Sequence, residues 1–167
     1  MKRKLLVGSI LFLVLLAAIC LYFYYPFYQV SKINKSVAIA GIKLLMPVEE
    51  VTTKMNGEGE YIYGMGGFGR EYEQEKIRVF FSNDSDGQTY NKVCFIETEN
   101  PNHSVLDIQV GDSLAKASSL LNKAGFKQEE QSYYRNGNIY VTLISANNMV
   151  KKIRVGYIVR SLSGRVY

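Results

Sequence analysis

The chain has 167 residues and a formal net charge of +5, a length that suits one compact domain beside one apolar segment. Lys2, Arg3 and Lys4 supply three of its 20 basic residues, leaving 17 against 15 acids, so the basic excess makes no case for a nucleic-acid partner. Two cysteines and one histidine exclude a disulfide framework and a Cys/His metal cluster.

Residues 1–4 carry the positive tip, and residues 5–25 (LLVGSILFLVLLAAICLYFYY) contain no charge. As a helix this run is about 31 Å long, close to the roughly 30 Å hydrocarbon core of a bilayer. Pro26 and the aromatic cluster from Tyr22 to Tyr28 mark its expected end. The basic tip then predicts a cytoplasmic N-terminus, a helix spanning the cell membrane once, and a C-terminal domain outside. The run is longer than the core of a cleaved signal peptide. Bulky Ile19 precedes Cys20 where a lipoprotein needs a small residue, so the reading is an uncleaved signal-anchor. With Cys20 in that run and Cys94 in a predicted strand, the two cysteines are not expected to pair.

Residues 26–41 are mildly polar and read as a short stalk, with an edge strand near Val37 to Ala40. Residues 42–167 read as an extracytoplasmic α+β domain, within which the sequence resembles itself. Ile42 to Gly59 matches Ile108 to Gly125 at a shift of 66. Val48, Val51 and Met55 fall on Leu114, Ala117 and Leu121, one face of a helix in each copy. Gly59 and Gly125 are the expected C-terminal stops, and Asp112 or Ser113 the N-cap of the second helix. Tyr72, Ile77 and Val79 then match Tyr134, Ile139 and Val141, and NKVCFI (91–96) is set against KKIRVG (151–156). Asn136-Gly137 signals a hairpin. Two repeats, about 42–98 and 108–160, therefore each read as a helix followed by a three-stranded antiparallel meander. Both helices are expected on one face of a shared sheet. Tyr63 to Gly69 and part of Ser82 to Thr89 read as loop insertions in the first repeat.

The pattern I-x-V-G-D-S before a helix (Ile108 to Ser113), then Gly125-Phe126 and Tyr133-Tyr134-x-Asn136-Gly137, resembles the SmpA/OmlA (BamE-like) and β-lactamase-inhibitor-protein fold group. The resemblance covers most of residues 42–160. It implies a helix-on-sheet repeat that binds proteins rather than performing chemistry. The lipobox of the BamE-like lipoproteins is missing here.

Gly64 to Gly69 matches G-x-G-x-x-G, yet a dinucleotide loop needs a strand before it and a helix after it. This stretch follows a helix and precedes a strand. It reads as a contact loop with Met65 and Phe68 as apolar tips. Ser82 to Gly87 offers Asp84 and Asp86 in calcium-loop spacing but lacks the closing Glu at Val93, so it reads as an acidic hairpin tip. Lys152, Arg154 and Arg160 share one face of the last strand, with Ile153, Val155 and Tyr157 opposite. No catalytic set, cofactor site or metal site is expected. The functional expectation is a non-catalytic, membrane-anchored module with a protein partner in the cell envelope. Alternatives are an envelope sensor or carrier for lipid or wall polymer, and an immunity or inhibitor protein.

Overall fold

The structure is a computed structural model that describes residues 2–64, 67–83 and 89–158; of these, the side chains of residues 2–11, 23, 26, 27 and 29 lie outside the description. Helix α1 runs from Lys2 to Val37, α2 from Val48 to Lys54 and α3 from Leu114 to Lys123. After α2 come β1 (Glu60–Gly64), β2 (Gly67–Tyr72), β3 (Ile77–Ser82) and β4 (Val93–Thr98). A small hairpin, β5 (Ser104–Val105) and β6 (Ile108–Gln109), leads into α3. Then follow β7 (Lys127–Glu130), β8 (Tyr133–Asn136), β9 (Ile139–Ala146) and β10 (Met149–Tyr157). The large sheet is antiparallel and eight-stranded, in the order β1-β2-β3-β4-β10-β9-β8-β7. The fold is thus α+β, with two helix-plus-meander units joined side by side through β4 and β10.

Each meander has four strands, not the expected three. The additional strand in the first unit lies in the glycine-rich stretch expected to be a loop. Gly64, Gly67 and Gly69 belong to the β1–β2 hairpin, and only residues 65 and 66 at its turn are outside the description. The backbone bonds at the two helix entries correspond one to one. Leu45 N–H donates to Val93 O and Val93 N–H to Met46 O; Gly111 N–H donates to Val150 O and Val150 N–H to Asp112 O. Leu45 and Gly111 both have positive φ, +64° and +99°. Both meanders also carry a bulge in the last strand, at Cys94 and at Lys151.

These correspondences correct the register of the last strand. Asn91, Val93 and Ile96 match Asn148, Val150 and Ile153, so KKIRVG lies three residues too far along. They also correct one helix stop. In α3, Gly125 N–H donates to Asn122 O and Phe126 N–H to Leu121 O, a Schellman closure with Gly125 at φ +83°. In α2 the same two bonds are made by Asn56 and Gly57, with Asn56 at φ +53°. Gly59 plays no part in that stop, because α2 is three residues shorter than α3.

The core lies between the helices and one face of the sheet. Val51 of α2 and Ala117 and Leu121 of α3 meet Ile77, Val79, Ile96, Val141, Leu143, Ile153 and Val155. Val30, Val37, Ile39, Ile42 and Leu44 belong to the same core, so residues 26–41 are no free stalk. Asn34 holds the segment down: its side chain donates to Leu44 O and accepts from Leu44 N–H, both at 3.0 Å.

The N-terminal reading also changes. Helix α1 does not stop at Pro26 but continues to Val37. Val30, Ile33 and Val37 form an apolar stripe on the core, and this packing outweighs the roughly 3 kcal/mol cost of an interior proline. The later turns carry Ser31, Lys32, Asn34 and Lys35. Among the described residues, no helix is long and apolar enough to cross a membrane. The expected span over 5–25 is therefore not supported. The single-pass placement in the cell membrane, cytoplasmic end in and domain out, falls with it. The side chains of Lys2, Arg3 and Lys4 lie outside the described residues.

Candidate binding surface

Antiparallel register fixes which side chains share the face turned away from α2 and α3. One row runs Glu71, Arg78, Glu97, Arg154, Thr142, Tyr133 across β2, β3, β4, β10, β9 and β8. The next row runs Gly69, Phe80, Phe95, Gly156, Tyr140, Arg135. Among the described residues no helix packs on this face.

The first row alternates in charge. Arg78 Nε donates to Glu71 Oε1 at 2.7 Å, and Arg154 Nε donates to Glu97 Oε1 at 2.7 Å. Lys152 Nζ sits 2.8 Å from Glu99 and 3.9 Å from Glu97. Glu97 is the buried centre of this network, its side chain only 7% exposed. Its two cations compensate for taking a carboxylate out of water. The hydrogen bond to Glu71 raises the pKa of Arg78, and the Lys152 hydrogen bond lowers that of Glu99. At the end of the row a cavity of about 480 Å³ is lined mainly by charged side chains, among them Glu73, Lys76 and Glu99.

The second row is aromatic. Phe80 and Phe95 stack at 4.2 Å between centroids, and Tyr140 stacks on Tyr133 of the first row at 5.4 Å. Arg154 lies over the Phe95 ring at 4.8 Å. The rings lie down on glycines: a Cβ at Gly156 would sit 2.3 Å from Tyr140 Cζ, and one at Gly69 would sit 2.9 Å from Phe80 Cε1. Bare backbone at both positions lets the aromatics form a flat floor. Burial raises the Tyr140 phenol above its usual pKa and pushes the Cys94 thiol up to about 12. Cys94 donates to Phe80 O at 3.2 Å, and this bond together with burial favours the thiol over the thiolate.

Of the contact residues expected from sequence, Lys152 and Arg154 lie on this face, each tied to an acid. Phe68 is on the other face, half-buried and stacked on Phe81 at 5.0 Å, so it is not an exposed tip. Met65, Asp84, Asp86 and Arg160 lie outside the described residues. Gly64 to Gly69 leads into no helix, which removes the dinucleotide geometry. Among the described residues no group of three or more His, Cys, Asp or Glu could hold a metal. Sequence reading missed Phe80, Phe95, Glu97 and Tyr140. For Phe80 and Tyr140 the signal is the alternation in IRVFF and IYVTL, which sets them between aliphatic residues; for Phe95 and Glu97 the bulge at Cys94 breaks that alternation.

No family model matches the chain, and no curated protein sequence does. Its fold is similar to part of an extracellular protein containing a SCP domain from Bacillus anthracis str. Ames, with a TM-score of 0.52 over 72% of this chain. The chain spans 45% of that protein's length at 10% identity, a likeness of fold alone.

Proposed function

We propose that this chain is a non-catalytic module that binds a protein partner through the helix-free face of its sheet. The observation that carries the reading is the composition of that face: an aromatic floor bordered by charges already paired within the chain. Aromatic and arginine side chains at the centre of a patch are the groups that dominate protein–protein binding energy. Arg78 and Arg154 are pre-ordered by their acids, which lowers the entropy lost on docking. The sequence resemblance to fold groups that bind proteins through such a sheet points the same way. An inhibitor or immunity role is a special case of this reading. A lipid or polymer carrier would need a groove lined by tyrosine, whereas the cavity described at the end of the sheet is lined mainly by charge.

The test places a photoactivatable crosslinker at position 78 or 133 on this face, and at Lys123 on α3 as control, in the full chain. Discrete adducts with another protein are expected from the two face positions and not from the control. Phe95→Asp should reduce those adducts about tenfold. Equal labelling from face and control positions would defeat the proposal.

A further inference from the structure

The two edges of the sheet are finished differently. Edge strand β7 carries Lys127, Glu129 and Glu130, all exposed, and its register with β8 breaks between Gln128 and Glu130. Charge and a bulge are the usual means of preventing another strand from adding to an edge. Edge strand β1 has no bulge, and its single charge, Glu60, sits at its first residue. It reads Glu-Tyr-Ile-Tyr-Gly in unbroken register with β2, with Tyr61 46% and Tyr63 89% exposed. Gly64 and Gly67 close its hairpin. In a two-residue hairpin the closing pair is hydrogen-bonded, so alternation leaves the backbone groups of Tyr61 and Tyr63 facing away from β2.

We propose that β1 is a self-association edge, to which a second copy of this chain adds its own β1, antiparallel, about a two-fold axis at Ile62. Of the registers that alternation allows, this one pairs all five residues of the strand. Tyr61 meets Tyr63 of the second copy in hydrogen-bonded pairs, Ile62 meets Ile62, and Glu60 faces Gly64. The charges suit that pairing: the two Glu60 carboxylates lie at opposite ends, with no acid across from either. The aromatic ladder is also completed. Phe81, Phe68 and Tyr63 form one row, and Tyr61 carries Arg70 over its ring at 5.1 Å. Across the axis Tyr63, which is 89% exposed and packs edge-on against Tyr61 at 4.8 Å, is followed by the second copy's Tyr61 and then its Arg70, which gives it cross-strand partners on its open side as well.

The experiment is oxidative crosslinking of the full chain with Cys20→Ser and Cys94→Ser and one new cysteine. Ile62→Cys should form a disulfide-linked dimer, because the axis places the two Cα atoms directly opposite each other. Tyr61→Cys and Tyr63→Cys should each crosslink poorly alone and well when mixed. Glu129→Cys on the other edge should not crosslink. Adding Tyr63→Lys to Ile62→Cys should cut the dimer yield about tenfold with the circular dichroism unchanged. Absence of dimer at position 62 overturns the proposal, as does equal crosslinking at 61, 62, 63 and 129, which would place association elsewhere. Partner binding is read at positions 78 and 133, on β3 and β8 within the sheet, and self-association at its β1 edge, so either proposal can fail without the other.

Discussion

Glu97 and Arg154 are the same position of the two units, and they face each other as partners across the axis that relates β4 to β10. Two identical units meeting there would set like charge against like. Joining them in one chain lets the position differ between copies, and the result is a buried ion pair at the seam.

Removing one partner should therefore cost more than a surface ion pair does. Glu97→Gln strips the carboxylate from Arg154 and Lys152 and is expected to lower stability by about 1–3 kcal/mol. The reversed pair, Glu97→Arg with Arg154→Glu, should lose less than the sum of its single changes. Lys152 then faces a cation, so recovery is partial. Urea unfolding of the four proteins gives the coupling directly. Additive losses would mean that the pair contributes nothing of its own.

Gly156 makes a steric prediction. Gly156→Ala drives a methyl group into the Tyr140 ring and should destabilise by about 1–3 kcal/mol. In a Tyr140→Ala background the ring is gone, and the same substitution should cost far less. If the cost is unchanged in that background, backbone conformation rather than the ring demands glycine there.

His103 makes a prediction about pH. Its Nδ1 lies 2.9 Å from Thr98 Oγ1 and its Nε2 lies 3.8 Å from Glu75. Burial lowers its pKa below the ordinary 6.5, with Glu75 opposing the shift. The unfolded chain therefore takes up the proton first. The contribution of this residue is fully present above about pH 6.5 and is lost as pH falls towards the depressed folded value, below which the loss stops growing. Thermal melts of the protein and of His103→Gln across this window should diverge in slope. Parallel curves would show that the ring titrates without consequence for folding.

The helical faces were legible because period is local: of the six residues chosen from spacing alone, Val51, Ala117 and Leu121 are buried, and Val48, Met55 and Leu114 are half-buried against the core. The matching helix entries, 66 residues apart, were legible for the same reason. In the first unit the additional strand was hidden by glycine. At Gly67 a Cβ would strike Phe81 O at 2.2 Å, so the requirement for glycine comes from a neighbouring strand that a single window cannot show. Cys94 and Lys151 add one residue to each last strand and break its two-residue alternation, so periodicity alone did not show which of its side chains share a face. The open face was missed for a related reason. Phe80, Phe95 and Tyr140 look like core by composition, and only the register with Val79, Ile96 and Val141 turns them outward.

The Asn34 amide, clamped to both backbone groups of Leu44, bears on where the chain can be trimmed. A cut at Gly41 would remove Val30, Val37 and Ile39 from the interior and strand the Leu44 peptide without its partners. The smallest fragment that keeps its packing intact must begin inside α1, ahead of Val30. A proteolytic survey should find residues 30–46 among the last to be cleaved, although their sequence looks like a tether.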